Sequence, residues 1–213
     1  MPVLRIALIS LATLPLLVVT ARAEKGVNLR PAHVKVGKTV VEEKFDGAAL
    51  PKGWTANKGS WQPKDGTLVG FEKKEDKHAA VLTLARPFKS TAIRFSFLRD
   101  GATGFNLSIN HPEGHLFRVL INDDGLVLNK DKDKKDPNSK PQALAKAEGK
   151  FPSGQWHTLL VEVQGDKVWV TADNGAKLEA SHPGLALDKT GYRLVTRGST
   201  LLIDDLTIWN VEP

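Results

Sequence analysis

The chain has 213 residues, 41% of them hydrophobic and 25% charged, which is enough for one sizeable core. It holds no cysteine, and this excludes a disulfide framework, a cysteine-ligated zinc site, an iron–sulfur cluster, a thiol nucleophile and a lipidated cysteine anchor. Lys and Arg number 30 against 24 Asp and Glu, a net charge of +6 that does not by itself imply nucleic acid.

Residues Met1 to Ala23 have the pattern of a secretory signal. Arg5 supplies a positive start, Ile6 to Val19 is an uncharged apolar run, and Ala21-Arg22-Ala23 fits a small-residue cleavage site. The run is short for a membrane span and Pro15 interrupts it. Cleavage after Ala23 would remove Arg5 and Arg22 and no acid, so the remaining excess falls to +4. The expected location is therefore secreted, periplasmic or in the cell envelope. An exported chain without disulfides must draw its stability from core packing. Glu24 to Gly37 has little pattern, contains Pro31, and reads as a flexible lead-in to a single domain over 38–213.

From Lys38 onward the apolar period is two. Ile93, Phe95 and Phe97 alternate with Arg94, Ser96 and Leu98. Phe105, Leu107 and Ile109 alternate with Asn106, Ser108 and Asn110, and Phe117, Val119 and Ile121 with Leu116, Arg118 and Leu120. His157, Leu159, Val161 and Val163 alternate with Trp156, Thr158, Leu160 and Glu162. Half-buried antiparallel strands produce this pattern because successive side chains point to opposite faces. Asp173-Asn174-Gly175 is a strong hairpin signal, since Asn-Gly supplies the positive φ of a tight turn, and Gln164-Gly165-Asp166 and Asp123-Asp124-Gly125 are weaker ones. Roughly a dozen strands at this spacing, with only Ala143–Lys150 as a candidate short helix, indicate an all-β sandwich or barrel. Asn129 to Pro141 is a polar, charged loop joining two strands and reads as solvated and flexible.

Several turn and core signatures are shared with a known superfamily. Phe45-Asp46-Gly47, Leu50-Pro51-Lys52-Gly53-Trp54, Gly59-Ser60-Trp61 and Asp65-Gly66-Thr67-Leu68-Val69-Gly70 resemble the start of a concanavalin A-like, laminin-G-like jelly roll. Leu201 to Trp209 resembles its last strand, and Gly154-Gln155-Trp156-His157-Thr158-Leu159 an inner one. Within that superfamily the chain is most similar to secreted 3-keto-disaccharide hydrolase-like domains, over about Thr39 to Asn210. The resemblance implies a two-sheet antiparallel jelly-roll sandwich, with glycan bound on the concave face or its rim. It implies a binding module, a sugar hydrolase or lyase, or a structural and protein-interaction module of the cell envelope. The laminarinase-type E-x-D-x-x-E strand of the superfamily is missing here, which argues against retaining glycosidase chemistry.

The candidate ligand-binding set follows from strand alternation. Arg94, Ser96, Asn106, Ser108, Asn110 and Arg118 point away from their apolar neighbours, and on adjacent strands they would form one polar patch able to bind sugar hydroxyls. His115 would be a rim contact. Trp156 and Trp169 are out of phase with the core and could stack on a sugar ring, whereas Trp54, Trp61 and Trp209 belong to the core signature. Among the carboxylates Glu72, Glu113, Glu162, Asp204 and Asp205, Glu162 is the best single candidate for acid–base work, with no second carboxylate assignable beside it. His111-Pro112-Glu113-Gly114-His115 reads as a turn and not a metal site, because Pro112 and Gly114 prevent the helix that would align its histidines. Asp131, Asp133 and Asp136 fail the EF-hand spacing at Lys135 and Asp136. No cofactor is implied, and a structural calcium has no assignable ligands. The asparagine of the Asn106-Leu107-Ser108 sequon lies mid-strand, an unfavourable place for glycosylation. The expected partner is a glycan or small saccharide, bound by a monomer with no affinity for nucleic acid and no membrane span after cleavage.

Overall fold

The alternating segments fold as thirteen antiparallel strands in a computed structural model that describes residues 27–213. They are β1 (Val36–Glu43), β2 (Trp54–Lys58), β3 (Ser60–Lys64), β4 (Thr67–Phe71), β5 (Ala80–Phe88), β6 (Thr91–His111) and β7 (Gly114–Ile121). There follow β8 (Gly125–Lys130), β9 (Gln142–Glu148), β10 (Trp156–Gln164), β11 (Lys167–Ala172), β12 (Lys177–Ser181) and β13 (Lys189–Val211). The signal-like residues lie outside the described region. No helix among the described residues is long and apolar enough to cross a membrane.

Two long strands build both layers. The first half of β6 pairs with β10 and with the second half of β13, and the second half of β6 pairs with β7 and with the first half of β13. One layer therefore runs β12-β11-β10-β6-β13, with β1 and the β3–β4 hairpin on the far side of β13. The other runs β2-β5-β13-β6-β7-β8-β9. Both long strands bend where the register slips between Arg197 and Thr200 opposite Gly101. Gly198 has φ +85° there, and a Cβ on it would come within 2.9 Å of the Gly101 carbonyl oxygen, so the bend needs glycine. The strand folds back on itself so closely that the Phe97 and Phe105 rings meet edge-on at 4.7 Å. At the opposite edge β9 packs against β12.

The core lies between the layers, with Phe95, Phe97, Phe105, Leu107, Ile109, Phe117, Val119, Val161 and Leu194 all at 3% exposure or less. Trp54 and Trp61 join it as expected. Trp61 faces Gly70 across the β3–β4 pair, and a Cβ on Gly70 would lie 2.3 Å from the indole. The motif containing these residues thus couples a large ring to the one side chain small enough to admit it. Trp209 belongs to a second, smaller cluster with Val34, Ala92 and Leu160.

Two local expectations are corrected. Gln142–Glu148 is a strand, not a helix, because it pairs along β8 and turns Leu144, Ala145 and Ala147 toward the core. The lead-in is not free over its described part. Glu162 accepts the backbone N–H groups of Ala32, His33 and Val34 at 2.9, 2.9 and 3.2 Å, and Val34 is buried. The segment covers the outer face of the first layer, which is why both faces of β10 are buried from His157 to Val163.

Candidate functional site

The outer face of the second layer carries a polar row set by strand register. Thr83 of β5, Arg193 of β13, Ser108 of β6, Arg118 of β7 and Asn129 of β8 are successive cross-strand partners. Val195, Asn106 and Leu120 form the parallel row two residues along. In antiparallel strands directly paired residues share a face. The inward partners Tyr192, Leu194, Leu107, Phe117 and Val119 are core, so the polar row must face out.

These rows floor a cleft of about 440 Å³. Arg118 is fixed by Asp131, which takes its Nε at 3.0 Å and also its Nη2. Asp131 begins the lysine-rich loop, which also ties back through an ion pair between Lys135 and Glu113. Arg193 donates Nε–H to Thr83 Oγ1 at 3.2 Å and forms no ion pair with any described residue. His115 Nδ1 lies 3.0 Å from Asn110 Oδ1 and 3.4 Å from Ser108 Oγ. Its imidazole is held below the ordinary histidine pKa, first by burial and then by the neighbouring Arg193 guanidinium. Asn106 Oδ1 is buried in the floor without a hydrogen-bond partner among the described residues. An unpaired buried acceptor costs about 1–3 kcal/mol.

No Asp or Glu lines this cleft among the described residues. A broader hollow of about 820 Å³ continues from it and shares Thr103, His78 and Arg197. Lys73, Lys74 and Lys77 line the hollow together with a single acid among the described residues, Glu72. Glu72 accepts the Gly198 N–H at 2.8 Å and lies 3.7 Å from Arg197.

The predicted residues divide between the two layers. Asn106, Ser108, His115 and Arg118 meet in the cleft, and Asn110 supports His115 from beneath. Arg94 and Ser96 do not join them, because they precede the bend of β6 and lie in the first layer. Arg94 instead binds the lead-in through the Leu29 carbonyl at 3.2 Å, donates to Thr207 Oγ1 at 3.2 Å, and sits 5.4 Å over Trp209. Trp169 stacks on His33 at 5.2 Å in that same layer, and Trp156 is half-buried opposite Leu98. Glu162 is 1% exposed beneath the lead-in and lines none of the clefts described, so its carboxylate is a clamp placed far from Arg118 and Ser108. Arg94 and Ser96 line a separate pocket of about 310 Å³ together with the acidic Glu42, Glu43 and Asp205. No group of three or more His, Asp or Glu is arranged to hold a metal ion among the described residues. Arg193 and Arg197 were missed by sequence reading, although the alternation Tyr192-Arg193-Leu194-Val195-Thr196-Arg197 carries their signal.

Comparison with known proteins agrees with this architecture. The carbohydrate-binding module CBM66 from Bacillus subtilis superposes with a TM-score of 0.59 at 14% identity, covering 74% of this chain and 96% of its own. Porphyranase B from Zobellia galactanivorans gives 0.61 at 12%, covering 90% and 98%. The laminarinase from Flavobacterium sp. UMI-01 gives 0.58 at 12%, covering 81% and 100%. At these identities the likeness establishes the jelly-roll fold. No curated protein sequence matches. Residues 41–186, about two thirds of the chain, match a family that spans most of both layers, and the chain belongs to the 3-keto-alpha-glucoside-1,2-lyase-like domain family.

Proposed function

We propose that this is an exported saccharide-binding jelly roll whose ligand lies in the cleft over Arg193, Ser108, Arg118 and Asn106. The observation that carries the reading is the row of Arg193, Ser108 and Arg118 that strand register sets side by side in the cleft. A sugar offers hydroxyl donors for the Ser108 oxygen and hydroxyl lone pairs for the two guanidinium groups, so one ligand class satisfies both. Neighbouring folds that bind or act on polysaccharides support the same reading.

Titration calorimetry with a panel of oligosaccharides tests it. The expected result is a Kd between micromolar and millimolar that weakens about tenfold or more in Arg193→Ala and is unchanged in Trp169→Ala. Binding to nothing in the panel, or loss in Trp169→Ala with Arg193→Ala unaffected, overturns it.

A second reading is favoured by His115. The family name points to a 3-keto-glucoside, whose C2 hydrogen is acidified by the adjacent C3 carbonyl. Elimination needs one base at C2 and stabilisation of charge at the carbonyl oxygen, and needs no carboxylate pair. In this reading neutral His115 Nε2 takes the C2 proton, a C1–C2 double bond forms, and the C1–O bond breaks. The aglycone leaves with that electron pair and is protonated. Arg118 and Arg193 lie beside His115 and would stabilise the developing enolate.

A further inference from the structure

Resting on the saccharide-binding reading, we propose that the ligand is anionic, with a carboxylate or sulfate group seated against Arg193 and Arg197.

Three features of the cleft converge on this class. First, its charged lining is of one sign: Arg118, Arg193 and Arg197 line it with no acid among the described residues. Of the three, Arg118 is matched by Asp131 and Arg197 is only loosely approached by Glu72 at 3.7 Å, whereas Arg193 has no acidic partner among the described residues. Second, the positive lining continues into the adjoining hollow through Lys73, Lys74 and Lys77, against Glu72 alone among the described residues. Third, the cleft lacks what a neutral sugar uses. No Trp or Tyr lines the cleft among the described residues, and Phe105 there is 3% exposed, so the cleft itself presents no Trp, Tyr or Phe face for stacking; the half-buried Phe71 lies in the adjoining hollow.

Guanidinium groups offer paired N–H donors that match the oxygens of a carboxylate or sulfate, and such charge-assisted bonds are about twice as strong as neutral ones. A fixed Arg118, already compensated by Asp131, suits a hydroxyl. An uncompensated Arg193 in a half-enclosed cleft suits an oxyanion. Because Arg193 and Arg197 are four residues apart on one strand, they project on the same face about 13 Å apart and can bracket one ligand.

The test uses the full chain with three oligosaccharides of equal length: an oligouronate, a sulfated oligosaccharide and a neutral glucan. We expect one acidic ligand to bind at least about tenfold tighter than the neutral one. That advantage should shrink several-fold when NaCl is raised from about 0.05 M to about 0.5 M, since the cleft is open to salt. Arg193→Gln should remove it with an unchanged Tm, and Arg193→Lys should retain part of it. Which acidic ligand wins identifies the oxyanion. Equal binding of neutral and acidic ligands, a salt-independent preference, or an advantage intact in the Arg193→Gln, Arg197→Gln double variant overturns the proposal while leaving saccharide binding in place. Failure of all three ligands to bind overturns both.

Discussion

The His115 imidazole is hydrogen-bonded through Nδ1 to Asn110 Oδ1 at 3.0 Å, and this contact fixes which nitrogen is basic. A carboxamide oxygen only accepts, so Nδ1 carries the hydrogen and Nε2 keeps its lone pair. Burial, with Arg193 and Arg118 adding to it, holds the ring pKa below the usual histidine value, so the ring is neutral at neutral pH. If elimination of a 3-keto-glucoside occurs in the cleft, its rate should be flat at neutral pH. It should fall tenfold per unit only below the ordinary histidine range, as the base becomes protonated. His115→Asn should lower kcat by about 10²–10⁴-fold. A pH–rate profile of aglycone release checks both. An acidic limb at or above the ordinary histidine value, or turnover unchanged in His115→Asn, would exclude His115 as the base. Asn110→Ala should move the limb while leaving KM nearly unchanged, because Asn110 acts through the ring and touches no ligand.

Glu162 anchors the lead-in by accepting three backbone N–H groups with one oxygen. Glu162→Ala leaves those donors unpaired in a nearly dry site and should destabilise the fold by about 2–5 kcal/mol. Glu162→Gln keeps one acceptor oxygen and should cost less. Both variants should expose residues 27–35 to limited proteolysis while binding saccharide within about twofold of the parent. Urea unfolding, proteolysis and calorimetry check the three parts. Loss of binding at unchanged stability would instead place Glu162 in the ligand site.

The sequence carried the strands because core positions recur with a period of two, and it carried the hairpin at Asn174-Gly175 because that turn requires positive φ. It misread Ala143–Lys150 because alanine and lysine favour helix locally, and only pairing with β8 overrides that preference. Half the cleft was legible for a similar reason. Asn106, Ser108 and Arg118 sit on consecutive strands of one hairpin, where alternation alone places them on one face. Arg94 was wrongly joined to them because alternation gives the phase of a residue but not its side of a bend, and β6 turns between layers at Gly101. Arg193 was invisible as their neighbour because β13 reaches β6 only through long-range pairing. The stacking of Trp169 on His33 and the burial of Glu162 depended likewise on the lead-in, whose sequence has no pattern to announce where it packs.

Lys189 opens β13 and is only 1% exposed, with Nζ donating to the Leu187 carbonyl at 2.8 Å. Burial pushes its ammonium down to about 8, against an ordinary 10.5, and nearby Asp188 only partly offsets this. The unfolded chain keeps its lysine proton up to the higher value, so between the two it binds more protons than the folded chain. Stability should therefore rise as pH increases from about 8 toward about 10.5 on account of this residue, by up to about 3 kcal/mol. Below pH 8 both states are protonated and the contribution is a constant penalty. Lys189→Met removes the buried amine while keeping an unbranched apolar stem. It should raise stability at pH 7 and flatten the rise at alkaline pH. Urea midpoints at about pH 7, 8.5 and 10 for the parent and Lys189→Met provide the comparison. Parallel curves for the two proteins would show that Lys189 retains an ordinary pKa in the folded chain.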